Sequence, residues 1–156
     1  MPLVRTPKHA VASELLNSAM KLYLQGDNYY SALHLGGAAE EVLSVYARGI
    51  NLVPCYDNTK QAIVSMAPMW PGAENEDNER AVTDLMNEAK NAVKHKRGSR
   101  DDWVEFDPRE EAGEVIERAL STYLQIRDAL ALSLPALTLD FHEERRSAPS
   151  GVQLKY

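Results

Sequence analysis

Residues 19–43 read Ala-Met-Lys-Leu-Tyr-Leu-Gln-Gly-Asp-Asn-Tyr-Tyr-Ser-Ala-Leu-His-Leu-Gly-Gly-Ala-Ala-Glu-Glu-Val-Leu. Before this stretch, Ala12, Leu15, Leu16, Ala19, Met20 and Tyr23 recur at spacings of three and four, which lines one face of a helix. Thr6-Pro7 reads as its N-cap followed by proline at the first helical position. Gly26-Asp27 ends this helix and begins the next. The second helix runs from about Asn28 to Arg48, with Ala32, Leu35, Gly36, Ala39, Val42 or Leu43, Tyr46 and Ile50 as its core stripe. A connection this short makes the two helices an antiparallel hairpin. The run Gly36-Gly37-Ala38-Ala39 costs helix propensity at the glycines but lets another helix come close.

Outward from the hairpin the chain stays helical. From Asn51 to Asp77 the pattern weakens at Pro54, Pro68 and Pro71. Only 58–66 predicts a short helix there, with Asn58 and Gln61 spaced as a capping box. An acidic turn over 72–78 leads into a third long helix, about Asp77 to Lys96. Its predicted buried stripe is Val82, Leu85, Met86, Ala89 and Val93, and its outer face carries Asn87, Lys90, Asn91 and Lys94. Trp103 and Phe106 are expected to pin the following loop to the bundle. Asp107-Pro108-Arg109-Glu110 is a strong helix start, and the fourth long helix carries Ala112, Val115, Ile116, Ala119, Leu120, Tyr123 and Ile126, extending as far as Leu132. After Pro135 the order falls away, with 139–146 docking as a short segment and 147–156 as a tail. The expectation is therefore an all-α, four-helix up-down bundle over residues 6–134, with a short extra helix between helices two and three. Residues 135–156 are read as a partly disordered tail.

Composition sets outer limits. The 156 residues suffice for one domain with a real core, and 44% hydrophobic with 26% charged residues is ordinary for a globular chain. The single cysteine, Cys55, excludes an intramolecular disulfide and fits a reducing, cytoplasmic setting. Neither a signal-peptide apolar region nor an 18-residue apolar run is present in the sequence, so no membrane partner is expected. A net charge of −6 argues against broad, non-specific nucleic-acid binding. It leaves room for a local phosphate site.

That local site is sought in residues 87–100, Asn-Glu-Ala-Lys-Asn-Ala-Val-Lys-His-Lys-Arg-Gly-Ser-Arg, which set five cations and a histidine against one acid. Metal-free RNA cleavage needs a proton shuttle and positive charge on the developing phosphorane. His95 supplies the first, Lys90 or Lys94 the second, and Asn91 is able to orient the imidazole or a phosphate oxygen. The plain alternative is a solvated helix end, where cations meet the negative end of the dipole. On helix two, His34, Glu41, Ser44 and Arg48 form a polar row. It reads as a solvated face or dimer seam rather than a metal site, because bundle di-metal sites use Glu-x-x-His pairs that this chain lacks. His142-Glu-Glu reads as a charged tail segment. No metal and no cofactor is expected.

The hairpin resembles the helix-Gly-x-x-Tyr-x-x-Ala-helix opening of HEPN domains, through Gly26, Tyr29 and Ala32. Lys90-Asn91-Ala-Val-Lys-His95 resembles that family's arginine-polar-x-x-x-histidine motif, and the helix over 107–123 resembles its final helix. The likeness covers roughly residues 12–132. It implies an all-α bundle, often a homodimer. Active members of the family are metal-independent endoribonucleases, frequently of toxin or defence type, in which arginine and histidine from two protomers meet. Others are binding or assembly modules. The resemblance therefore implies Lys90, Asn91 and His95 as the catalytic set. Lys94, Lys96, Arg97 and Arg100 would contact phosphate, with Asn87 and Glu41 in support, Glu41 approaching His95. Lys90 stands where the family has arginine and lacks its planar, bidentate fork. The first expectation is thus a non-catalytic module that contacts a partner protein, RNA or nucleotide. The alternative is a metal-independent endoribonuclease using His95 and Lys90.

Overall fold

A computed structural model describes residues 3–69 and 78–147. Those residues are all-helical, with no strand among them: α1 Lys8–Gln25, α2 Tyr29–Gly49, α3 Cys55–Met66 with a 3-10 turn at Ala67–Met69, α4 Asn78–Ala92, α5 Pro108–Ile126 and α6 Thr138–Ser147. The hairpin forms as the sequence requires. Gly26 adopts φ 83°, the left-handed conformation that closes α1, and its N–H donates to Tyr23 O at 3.1 Å. α2 packs along both α1 and α5, and these three helices bury Leu16, Met20, Leu33, Leu43, Ile116 and Leu120 completely. The small-residue run does what its composition implies. A Cβ added at Gly36 would lie 3.0 Å from Ile116 Cγ1, and one at Gly37 would lie 3.0 Å from Lys90 Cδ. α5 and α4 therefore approach α2 across the two glycines. α3 and α4 pack on one another, α3 also against α5 and α4 against α2.

Helix ends differ from expectation where local signals compete. α1 starts at Lys8, so Pro7 is the N-cap and Thr6 gives no capping bond. α3 begins at Cys55, and the Asn58 N–H bonds Pro54 O, so the Asn58/Gln61 pair lies within the helix and caps nothing. α4 ends at Ala92, which leaves Lys94, His95 and Lys96 beyond the helix. α5 ends at Ile126, and Leu130 and Leu132 pack against the core from a turn. Leu85 is 59% exposed, a correction to the α4 stripe. Leu85 and Lys90 flank the Val82–Ala89 line on opposite sides, and the helix turns its Lys90 flank inward. Trp70, Pro71, the acidic turn up to Asp77, and the tail beyond Ser147 lie outside the described residues.

The α5 start is realised in full. Asp107 Oδ1 accepts from Arg109 N at 2.9 Å and Glu110 N at 3.2 Å, with Pro108 at the first helical position. Asp107→Ala is expected to lower stability by about 1 kcal/mol. Urea unfolding followed by circular dichroism checks it, and an unchanged midpoint would show the cap to be idle.

The packed part of the chain also runs past the expected boundary at 134. α6 buries Phe141 completely, its ring edge-on to Tyr23 with centroids 5.2 Å apart. One turn later, Arg145 lies across α5 and donates to Glu110 at 2.9 and 3.1 Å and to Glu117 at 3.1 Å. The guanidinium uses the space of a missing side chain, since a Cβ at Gly113 would sit 2.5 Å from its Nη1. Arg145 holds the Glu110 carboxyl below the usual carboxylate range, chiefly through these hydrogen bonds. The short docking segment expected at 139–146 is thus a helix, Thr138–Ser147, packed on α1 and α5.

Candidate functional site

The centre of the polar chemistry is Glu40 on α2, only 1% exposed. One carboxylate oxygen accepts from Lys90 Nζ on α4 at 2.7 Å. The other accepts from Arg118 Nε on α5 at 2.6 Å. The Tyr56 ring of α3 lies beneath both cations, its centroid 4.8 Å from Lys90 Nζ and 6.0 Å from Arg118 Cζ. Asn87 Nδ2 donates to the Tyr56 hydroxyl at 2.9 Å and to Thr83 O at 2.9 Å. Four helices therefore meet on one buried carboxylate, two cations and a tyrosine face. Glu114, 3.9 Å from Arg118 and half exposed, supplies a second, weaker counter-charge.

Lys90 is thereby corrected from its expected place on the outer face of α4. Its side chain is 4% exposed and its stem runs over Gly37. The cause lies in α2: Gly37 leaves room for the stem, and Glu40, three residues on, meets the ammonium. Asn87, expected as an outer-face support for catalysis, is turned to Tyr56. Glu40 and Arg118 were missed from the sequence, although one signal was present. Glu40 lies three and four residues after Gly37 and Gly36, centred on the small-residue face, whereas Glu41 is in helical register with Gly37 alone.

Of the other cations Lys94 is half-buried and Lys96, Arg97 and Arg100 are exposed, and several meet acids. Lys94 donates to Glu41 at 3.2 Å, so Glu41 reaches the neighbour of His95 and bonds the lysine there. Lys96 pairs with Asp102 and also donates to Asp101 O at 3.1 Å, while Asp101 accepts from the Arg97 N–H. The segment after α4 thus folds back onto its own acids. Arg97 and Arg100 are exposed, with no side-chain ion pair among the described residues. His95 is exposed and Asn91 half-buried, and the Asn91 carbonyl accepts from the Lys94 N–H at 3.1 Å and the His95 N–H at 3.0 Å.

Two clefts border this segment. The smaller, about 320 Å³, is lined by Lys94, His95, Lys96, Asp102 and Trp103. The larger, about 1110 Å³, lies between α4, the segment before α5 and the first turn of α5, and is lined by Asn91, His95 and Arg97. Lys90 lines neither. The structure brings Asn91, His95 and Arg97 to one cleft and keeps Lys90 apart from them.

The α2 polar row is not one face. His34, Glu41 and Arg48 are exposed, but Ser44 is buried and its hydroxyl has no hydrogen-bond partner among the described residues. Arg48 grips Asp57 of α3 with two bonds, at 2.8 and 2.7 Å, which hold the Asp57 carboxyl below its ordinary range. Among the described residues there is no group of three or more His, Cys, Asp or Glu side chains suited to a metal ion, and no helix long and apolar enough to cross a membrane. Compared with known protein families, curated proteins and solved structures, the chain finds no match.

Proposed function

We propose that this chain is a non-catalytic, HEPN-like binding module. In this reading α1, α2, α4 and α5 are the four bundle helices, α3 is the extra one, and the module works as a homodimer that contacts a further partner. The observation that carries it is the state of Lys90, buried at 3% exposure with its ammonium 2.7 Å from Glu40. To reach a phosphate, this ammonium would have to leave a buried carboxylate. Breaking such a pair costs about 3–5 kcal/mol, and a compact lysine returns only a single-point contact. The motif cation here braces the fold.

The second reading, a metal-independent endoribonuclease, is favoured by the exposed His95 sharing a cleft with Asn91 and Arg97. One experiment separates the two. Purified wild type and His95→Ala are incubated with mixed RNA in EDTA, with helicity and oligomeric state checked for both. No cleavage by either is expected. Cleavage by wild type that vanishes in His95→Ala would replace the module with the ribonuclease.

A further inference from the structure

The larger cleft combines exposed apolar surface with a rim in which acids outnumber cations. Leu85 is 59% exposed, Trp103 85% and Val104 40%, and all three line it. Large side chains this open, gathered at one concavity, mark an interaction surface. Around them stand five acids, Asp84, Glu88, Asp101, Glu105 and Glu111, against two arginines, Arg80 and Arg97. The Glu111 carboxyl is pushed above its usual range chiefly by partial burial; the charges of Glu114 and Glu88 add to this and that of Arg118 opposes it. Carboxylates here repel one another, and an incoming cation would relieve them. At about 1110 Å³ the cleft exceeds the roughly 300–1,000 Å³ of small-molecule sites and has room for several residues of a peptide.

We propose that this cleft docks a basic, amphipathic segment of a partner protein, with an apolar side chain seated between Leu85 and Trp103 and lysine or arginine side chains against Glu88 and Glu105. The proposal rests on the binding-module reading and names the chemistry of its partner. Charge complementarity selects the occupant. A single RNA strand would gain a stacking surface from Trp103 and contacts from Arg97, but it would bring its phosphates against the carboxylate rim. A cationic peptide meets that rim favourably and covers the same apolar surface.

The test uses the full chain with Trp70→Phe, so that Trp103 is its one remaining tryptophan. Its emission is followed during titration with a synthetic amphipathic helix of lysine and leucine, with the glutamate-for-lysine counterpart of that peptide, and with oligo-uridine. The lysine peptide is expected to shift Trp103 emission to the blue, and the other two to leave it unchanged. Glu88→Lys/Glu105→Lys should weaken the lysine peptide about tenfold or more. Glu14→Lys/Glu143→Lys, with the same net charge but at positions that do not line the cleft, should bind as wild type. Equal weakening by both double variants would overturn the proposal, as would a Trp103 shift with oligo-uridine alone. So would a Trp103 already shielded in a dimer that Leu85→Asp separates, because a second copy would then be the occupant. RNA cleavage assayed on the same samples reports independently on the module reading.

Discussion

Replacing Glu40 by alanine is expected to lower the unfolding free energy by about 3–5 kcal/mol, a large share of the ~5–15 kcal/mol typical of a domain. The variant leaves the Lys90 and Arg118 side chains, 4% and 12% exposed, facing each other over the Tyr56 ring with no carboxylate between them. At these exposures the cations have lost most of the surface through which water solvated them in the unfolded chain. The tyrosine face offsets only part of that loss. Glu114 reaches Arg118 at 3.9 Å but does not serve Lys90. Removing charge from both ends tells a different story. In Glu40→Leu/Lys90→Met the ammonium and carboxylate both go and the stem volume over Gly37 is kept, so the share of the loss due to Lys90 should return, while Arg118 is left with Glu114 alone. Urea unfolding of the three chains by circular dichroism gives the comparison. A loss below about 1 kcal/mol for Glu40→Ala would mean that the pair is solvated and that Lys90 is free to act elsewhere.

The second large effect is expected at Phe141. Truncation to alanine removes a fully buried ring and its edge-on contact with Tyr23, for a loss of about 3–5 kcal/mol. In a chain of this size that corresponds to a fall in Tm on the order of 10 °C. Thermal unfolding measures it, and limited proteolysis should cut the variant between α5 and α6. If Phe141→Ala melts with the wild type, α6 is an appendage and the core ends with α5.

The two results bear on the same matter, which is how far local pattern reaches. The α1–α2 hairpin was legible because its determinants are local: apolar spacing, one glycine closing α1, and a connection too short for anything but a reversal. The α5 start was legible for the same reason, since Asp107, Pro108 and Glu110 act within one turn. For residues 138–147 only a short docking segment was legible, and its helical form and its partners were not, because the local pattern is poor. The helix holds through Phe141 against Tyr23, Arg145 over Gly113 and Glu144 paired with Arg109, and none of these partners is near it in sequence.

The candidate site divides in the same way. That residues 87–100 concentrate charge, and that Asn91 and His95 are spaced to lie near one another, could be read from composition and spacing. The fate of each charge could not. A lysine on a helix flank is outside or inside according to what the facing helix offers. Here α2 offers the space over Gly37 and the carboxylate of Glu40, fifty residues from Lys90 along the chain. The sequence by itself determined an all-helical chain, its hairpin and its charged segment, because periodicity, caps and composition act over a few residues. Only the tertiary structure decided which cation is buried, which acids neutralise the others, and that Leu85 and Trp103 stand open beside an acidic rim. Those outcomes depend on which helix faces meet, and side chains distant along the chain fix that jointly.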